Sequence, residues 1–104
     1  MAQFDVYQNT NAETKRHVPY LLDVQADILA TLATRVVVPL ITVSAMGRPA
    51  KHLNPQFRIK RATVVMSTAE LAGIDQNLLG ERVGSLKEQR DEILAALDFL
   101  LTGF

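Results

Sequence analysis

Hydrophobic and polar residues alternate from the first positions of the chain, with Phe4 and Val6 on one side and Gln3, Asp5 and Tyr7 on the other. Period two marks a half-buried strand, so a first strand is predicted over residues 4–7. Residues 8–17 are polar or charged apart from Ala12, contribute nothing to a core, and predict a mobile surface loop. Tyr20, Leu22 and Val24 alternate across Asp23 and Gln25, which predicts a second strand antiparallel to the first, with Pro19 near its start where a missing N–H is tolerated. Residues 35–41 are β-branched almost without interruption, the pattern of a strand buried on both faces or lying at a subunit contact. Pro39 predicts an edge or a bend at its far end.

Gly47, Pro49, Asn54 and Pro55 mark residues 46–55 as irregular connection. Phe57 and Ile59 then alternate with Arg58 and Lys60, and Thr63-Val64-Val65-Met66 follows the turn Lys60-Arg61-Ala62, which predicts a hairpin without the usual glycine. Beyond it, Ser67-Thr68-Ala69-Glu70 can start a helical turn, and Gly73 and Gly80 punctuate a region of turn and short strand. At Ser85-Leu86-Lys87-Glu88 the sequence has a capping box, in which the serine hydroxyl accepts from the Glu88 N–H. A helix is predicted from Leu86 to about Leu101, with Leu86, Ile93, Leu97, Leu100 and Phe104 forming one core-facing stripe. Gly103 is placed to end it in a left-handed conformation. Phe99 falls off the stripe, and with Leu101 and Phe104 it makes the last turn apolar nearly all round, which points to a dimer contact or a partner surface.

The elements predict a mainly β chain with one C-terminal helix: a small antiparallel barrel or sheet with the helix packed on it, in one domain spanning residues 1–104. The 104 residues suffice for one core, and Lys plus Arg equals Asp plus Glu at 11 each. That balance gives no long-range positive field, so nonspecific DNA binding by the chain alone is not expected. With no cysteine, disulfides and thiolate zinc sites are excluded. Neither a signal peptide nor a membrane-spanning run is seen, and a cytoplasmic protein is expected.

Catalytic chemistry finds little support. His17 and His52 have no partners at metal-ligand spacing and read as surface residues, and no metal or cofactor is expected. Asp23 and Asp27, four apart across a strand end, read as solvated charge. Phosphate loops, nucleophile elbows and metalloprotease motifs are absent. Arg35, Thr34, Arg58, Arg61 and Thr63 are the residues a motif-poor nuclease would use, but each reads more simply as a strand-end or surface residue. Partner binding through the helix and its Thr102-Gly103-Phe104 tail is the better expectation.

Taken together, Gln3-Phe4-x-Val6-Tyr7, Asp23-Val24-Gln25-Ala26-Asp27-Ile28, Arg35-Val36-Val37-Val38-Pro39-Leu40, His52-Leu53-Asn54-Pro55, Leu79-Gly80-Glu81-Arg82-Val83-Gly84-Ser85-Leu86 and Ala96-Leu97-Asp98-Phe99-Leu100-Leu101-Thr102-Gly103-Phe104 resemble the CcdB family, the toxins of CcdA/CcdB toxin–antitoxin modules. The segments run in family order over essentially the whole chain. The resemblance implies an SH3-like barrel with a small accessory antiparallel sheet and a C-terminal helix, assembled as a homodimer. It implies a poison that binds the DNA gyrase A subunit and traps the complex in which DNA is cleaved, without cofactor or covalent bond.

The family's gyrase-contacting pattern carries over to Gln3, Phe4, Tyr7, Ala26, Ile28, Asp98, Thr102, Gly103 and Phe104. A CcdA-like antitoxin is implied as the neutralising partner, by position against Gln8, Asn9, Thr10, Asn11, Glu13, Lys15 and Met46, and operator DNA is reached only through that antitoxin. Two positions depart from the pattern. Thr102 stands where the best-known ending Trp-Gly-Ile has its tryptophan, with Phe104 in place of the final aliphatic residue, and Ala26 replaces a frequent serine. Two alternatives stand beside this reading: an endoribonuclease toxin like MazF, and a non-toxic homologue that retains dimerisation and antitoxin binding.

Overall fold

In the computed structural model, which describes residues 2–103, the five segments predicted as strands form, and the region read as turn and short strand supplies two more, seven in all. They are β1 (Asp5–Asn9), β2 (Tyr20–Asp23), β3 (Thr34–Thr42), β4 (Gln56–Ile59), β5 (Ala62–Met66), β6 (Ala72–Asp75) and β7 (Leu79–Ser85). A single helical turn, α1 (Val43–Met46), follows β3, and the C-terminal helix is α2 (Arg90–Thr102). All pairings are antiparallel, in the order β4-β5-β3-β2-β1-β7 with β6 beside β3. The sheet curls into a half-barrel with α2 against it, the mainly β architecture with one C-terminal helix that the sequence predicts.

The single sheet forks at β3. β3 pairs with β6 along Thr34–Val37 and with β5 along Leu40–Thr42. Pro39 lies between the two pairings, and its carbonyl accepts from the Ser67 N–H at 2.9 Å. Because N–H and C=O of one strand residue point the same way, the N–H that proline lacks would face the gap where β6 gives way to β5. The proline therefore sits inside the longest strand at a fork, and not at an edge or bend.

Val6, Leu22, Val38, Leu40, Phe57, Ile59, Val64 and Met66 form one apolar layer with Leu86, Ile93 and Ala96 from the α2 end of the chain. Burying each large aliphatic side chain contributes about 1.5–3 kcal/mol. Asp5, Tyr7, Asp23, Arg35, Val37, Ile41 and Val65 point to the opposite face, yet they too are buried. The alternation in β1 and β2 therefore does not separate core from solvent.

Two local expectations fail for one reason. Phe4 has a left-handed φ of 72° and lies outside β1. Its N–H donates to the Asp23 carbonyl at 2.6 Å and its carbonyl accepts from the Leu86 N–H at 2.8 Å. Tying down and burying Leu86 leaves the chain to enter the helix through a 3₁₀ turn, Lys87–Gln89, and α2 starts only at Arg90. The Ser85 hydroxyl accepts from the Lys87 N–H at 3.1 Å and not from Glu88, so the capping box does not form. At the other end Gly103 has φ 80°, and its N–H bonds to the Phe99 carbonyl, the predicted left-handed stop.

Candidate functional site

Residues 24–33 leave the sheet between β2 and β3 carrying apolar side chains that face outward. Ile28 is 89% exposed, and Leu29 and Leu32 are about half exposed. No residue of the 3₁₀ turn Asp27–Leu29 is buried, so the loop has no apolar anchor there. Buried polar groups hold it instead. Asp23 is fully buried, and its Oδ2 accepts from Arg35 Nε at 2.8 Å while its Oδ1 accepts from the Gln25 N–H at 3.0 Å. Gln25, also buried, accepts from the Val36 N–H through Oε1 and donates through Nε2 to the Leu29 carbonyl, both at 3.0 Å. From the N-terminal side, the Gln3 N–H donates to Asp27 Oδ1 at 2.7 Å and Gln3 Nε2 donates to the Val24 carbonyl. Glutamine and aspartate are used here because each can meet two backbone groups of an irregular loop, which an apolar side chain cannot.

Arg35 and Asp23 correct the sequence reading directly. Read as a strand-end or surface arginine and as solvated charge, they are 1% and 0% exposed and form an ion pair, with Nη2 2.6 Å from Oδ2. That contact lacks hydrogen-bond alignment, and neither Nη1 nor Nη2 has a hydrogen-bond partner among the described residues. Burial pushes the Asp23 carboxyl above the ordinary range, outweighing the opposing effect of Arg35 and the Gln25 N–H. Beside them, Tyr7 is buried with its hydroxyl 3.4 Å from Asp5, and Asp5 pairs with Arg82 at 3.1 Å. Desolvation, then the Asp5 and Asp23 charges, raise the Tyr7 phenol above its ordinary value.

The predicted contact residues do not form one patch. Gln3, Ala26 and Ile28 come together, with Ala26 exposed and Gln3 half-buried. Phe4 and Tyr7 are 3% and 5% exposed, so their side chains are closed to a partner and act on the site only through the backbone they brace. Asp98, Thr102 and Gly103 are exposed on the last turn of α2, where the Thr102 hydroxyl donates back to the Asp98 carbonyl at 2.6 Å. Phe104 lies outside the described residues. Asp27 shares a small cleft with Lys87 and Arg90 at the start of α2, and the tail is one helix length away, about 18 Å. One protomer thus shows two separate surfaces.

The tail borders a groove that sequence reasoning missed. Pro49, Ala50, Lys51, His52, Asn54 and Pro55 face Glu92, Ala95, Phe99 and Gly103 across about 670 Å³. His52, read as a lone surface histidine, has a left-handed φ of 70° and packs its ring 6.0 Å from that of Phe99. Phe99 is half-buried, as its position off the helical stripe predicts. Nothing in the local sequence at His52 signals either the backbone conformation or the contact.

Where a mobile loop is expected over residues 8–17, Gln8 and Asn9 belong to β1 and residues 12–17 form hydrogen-bonded turns. Asn9 Nδ2 donates to Thr14 Oγ1 and the Val18 carbonyl, Asn9 Oδ1 accepts from the Asn11 N–H, and Asn11 Oδ1 accepts from the Glu13 N–H. The Thr10 hydroxyl ties the segment to the Leu78 carbonyl. Gln8, Thr10, Asn11, Glu13 and Lys15 are exposed, Asn9 and Met46 half-buried. The Thr42 N–H bonds to the His17 carbonyl, which sets the end of this segment beside α1 and Met46. The residues nominated for a nuclease are not assembled: Arg35 is sealed, Thr34 starts β3, and Arg58, Arg61 and Thr63 are exposed on the β4–β5 hairpin. Among the described residues there is no metal-binding cluster of His, Asp or Glu and no helix long and apolar enough to cross a membrane.

Comparison with known proteins places this geometry. The sequence pattern of the CcdB protein family matches residues 3–103. The chain belongs to the CcdB family. It is therefore a toxin of the toxin–antitoxin type. Among solved structures, an endoribonuclease in complex with its cognate antitoxin from mycobacterial species superposes with a TM-score of 0.77 at 17% identity, over 97% of this chain and 94% of that one. A second mycobacterial endoribonuclease gives 0.75 at 17% identity, over 97% and 90%. These likenesses establish a shared fold.

Proposed function

We propose that this CcdB-family toxin binds the DNA gyrase A subunit and traps gyrase with its DNA cleaved, catalysing no reaction itself, and that a CcdA-like antitoxin neutralises it. The observation that carries the reading is Ile28, an aliphatic side chain 89% exposed on a loop held by a buried polar clamp, at a position where the family pattern places a gyrase contact. Exposing an isoleucine offers folding nothing, whereas covering it at an interface contributes about 1.5–3 kcal/mol. The helix tail supplies the second contact. Thr102 spends its hydroxyl within the helix and brings no aromatic surface, so Gly103, Phe104 and the Ile28 loop carry more of the binding than a Trp-Gly-Ile ending requires.

The endoribonuclease reading shares the fold, but a buried Arg35 committed to Asp23 cannot meet a phosphate, and the other nominated residues do not converge. The antitoxin's place against residues 8–15 and Met46 is supported by the exposure of Gln8, Thr10, Asn11, Glu13 and Lys15, in a segment whose end at His17 lies beside α1.

A cleavage assay with purified gyrase and plasmid DNA, run beside an RNA-cleavage assay, tests the proposal. Wild-type protein accumulates cleaved DNA and leaves RNA intact, and Ile28→Ala lowers the yield of cleaved DNA about tenfold with stability changed by less than about 0.5 kcal/mol. RNA cleavage by the wild type overturns the reading in favour of a nuclease. Absence of both activities, with growth on expression unaffected, indicates the non-toxic homologue.

A further inference from the structure

The balanced net charge conceals a strong segregation. Between Ile28 and Ala69 the chain has six Lys or Arg and no Asp or Glu, while the remainder has five against eleven. Arg35 is internal and neutralised by Asp23. The other five, Arg48, Lys51, Arg58, Lys60 and Arg61, are all exposed, and none is in an ion pair with a carboxylate among the described residues. His52 is exposed among them.

Their placement brackets one strand, with three on or just beyond β4 and two in the connection before it. β4 is an end strand of the sheet, paired only with β5, so its outer edge is open. Phe57 and Ile59 turn inward and Arg58 turns outward, opposite the uncharged Thr63. Lys60, in a left-handed conformation with φ 57°, and Arg61 form the hairpin tip beyond β4. Arg58 Nη2 reaches the Arg61 carbonyl at 3.5 Å, which draws the two arginines together. Arg48, Lys51 and His52 lie in the connection leading into the other end of β4, where the carboxylate of Glu92 faces Lys51 and His52 across the groove. β4 spans about 13 Å and lies between the cations of the hairpin and those of the connection.

We infer that this edge is an interaction surface for the phosphate backbone of duplex DNA. A 15 Å length of duplex carries roughly nine phosphate charges on its two strands, enough to engage five cations around one strand. Three of the five are arginines, whose planar fork suits phosphate oxygens. The acidic remainder is repelled by the same DNA, so the molecule approaches in one orientation. A charged edge also discourages strand-to-strand aggregation, but two or three charges suffice for that, and an acid-free stretch of this length does not follow from it. The inference departs from the expectation that DNA is reached only through the antitoxin, and it does not rest on the gyrase reading.

Fluorescence anisotropy with a labelled duplex of arbitrary sequence tests it on the purified protein. Binding is expected at 50 mM salt, with log affinity falling against log salt at a slope of about −4.5, a loss of about 500-fold by 200 mM. Arg58→Ala/Lys60→Ala/Arg61→Ala lowers affinity at least tenfold and brings the slope to about −2. Lys87→Ala/Arg90→Ala, which removes two cations at the start of α2, stays within about threefold. No binding at 50 mM salt, equal losses in both variants, or preference for a polyglutamate peptide over the duplex each overturns the inference, the last assigning the surface to an acidic polypeptide. The source of the duplex is read from the triple variant in two further assays. Weaker binding of the toxin–antitoxin complex to its operator identifies operator DNA, and less cleaved DNA at unchanged affinity for the gyrase A subunit identifies gyrase-held DNA. No change in either assay overturns a functional role for the surface.

Discussion

Arg35 is the residue whose environment differs most from its sequence neighbourhood. It opens a β-branched run, where a charged side chain is ordinarily the polar end of a strand, yet it lies 1% exposed against a fully buried Asp23. A buried pair adds little net stability, but removing one partner leaves the other charged and unsolvated. Arg35→Met should therefore lower unfolding free energy by about 3–5 kcal/mol, with the simultaneous Asp23→Leu change recovering most of the loss, as urea denaturation of the two variants will show. Tyr7 makes a second residue-scale prediction. Its folded phenol is raised above 10.0 while the unfolded chain titrates near that value, so above pH 10 the unfolded state loses its proton first. The contribution of Tyr7 is complete below pH 10 and is lost as pH rises through its folded value. Tyr7→Phe should flatten the decline of stability above pH 10 in chemical denaturation at graded pH.

At the scale of elements, the contact of β1 with β7 is where a glycine matters most. Gly80 reads in the sequence as a break between short strands, but it lies within β7, where a Cβ would stand 2.7 Å from the Gln8 carbonyl oxygen and 2.9 Å from Thr10 Cγ2. The β1–β7 register shifts between Tyr7 and Asn9, beside this approach. Gly80→Ala should cost about 1–3 kcal/mol and raise amide hydrogen exchange at residues 79–85 and 8–10, leaving α2 protected. The loop of residues 24–33 is the counterpart held by side chains. Gln25→Ala removes its bonds to Val36 and Leu29, and should speed exchange in this loop and lower gyrase-dependent cleavage together, because Ile28 is then no longer held in place.

The whole molecule presents more apolar surface than one copy needs. Leu101 is 75% exposed at the helix end, beside half-buried Leu97 and Leu100. The cleft at Asp27 and the helix tail are separated by the length of α2, about 18 Å, so a symmetric pair of chains offers a partner several contact points that a monomer cannot. The homodimer that the family resemblance implies should appear in sedimentation equilibrium as a two-chain species, burying about 800 Å² per partner. Leu101→Asp should shift it to monomer while leaving the far-ultraviolet circular dichroism unchanged. The basic edge belongs to this scale as well, since it arises from the distribution of charge and not from any one residue.

By itself the sequence determined the positions of β1 to β5, the β4–β5 hairpin, the C-terminal helix and its glycine stop, because period-two and helical patterns, left-handed glycine and turn composition act over a few residues at a time. It also determined the family, because ordered motifs from end to end carry that information without any contact being known. Tertiary structure alone decided what lies inside. Arg35 and Asp23 are twelve residues apart and meet only because β2 and β3 pair. Pro39 became the fork of a sheet when β5 and β6 took opposite halves of one strand, and Phe4 took up a left-handed conformation because Asp23 and Leu86 claim its backbone from both sides. Burial of a charge, division of a sheet and the meeting of His52 with Phe99 are all set by long-range packing, which no local window of sequence encodes.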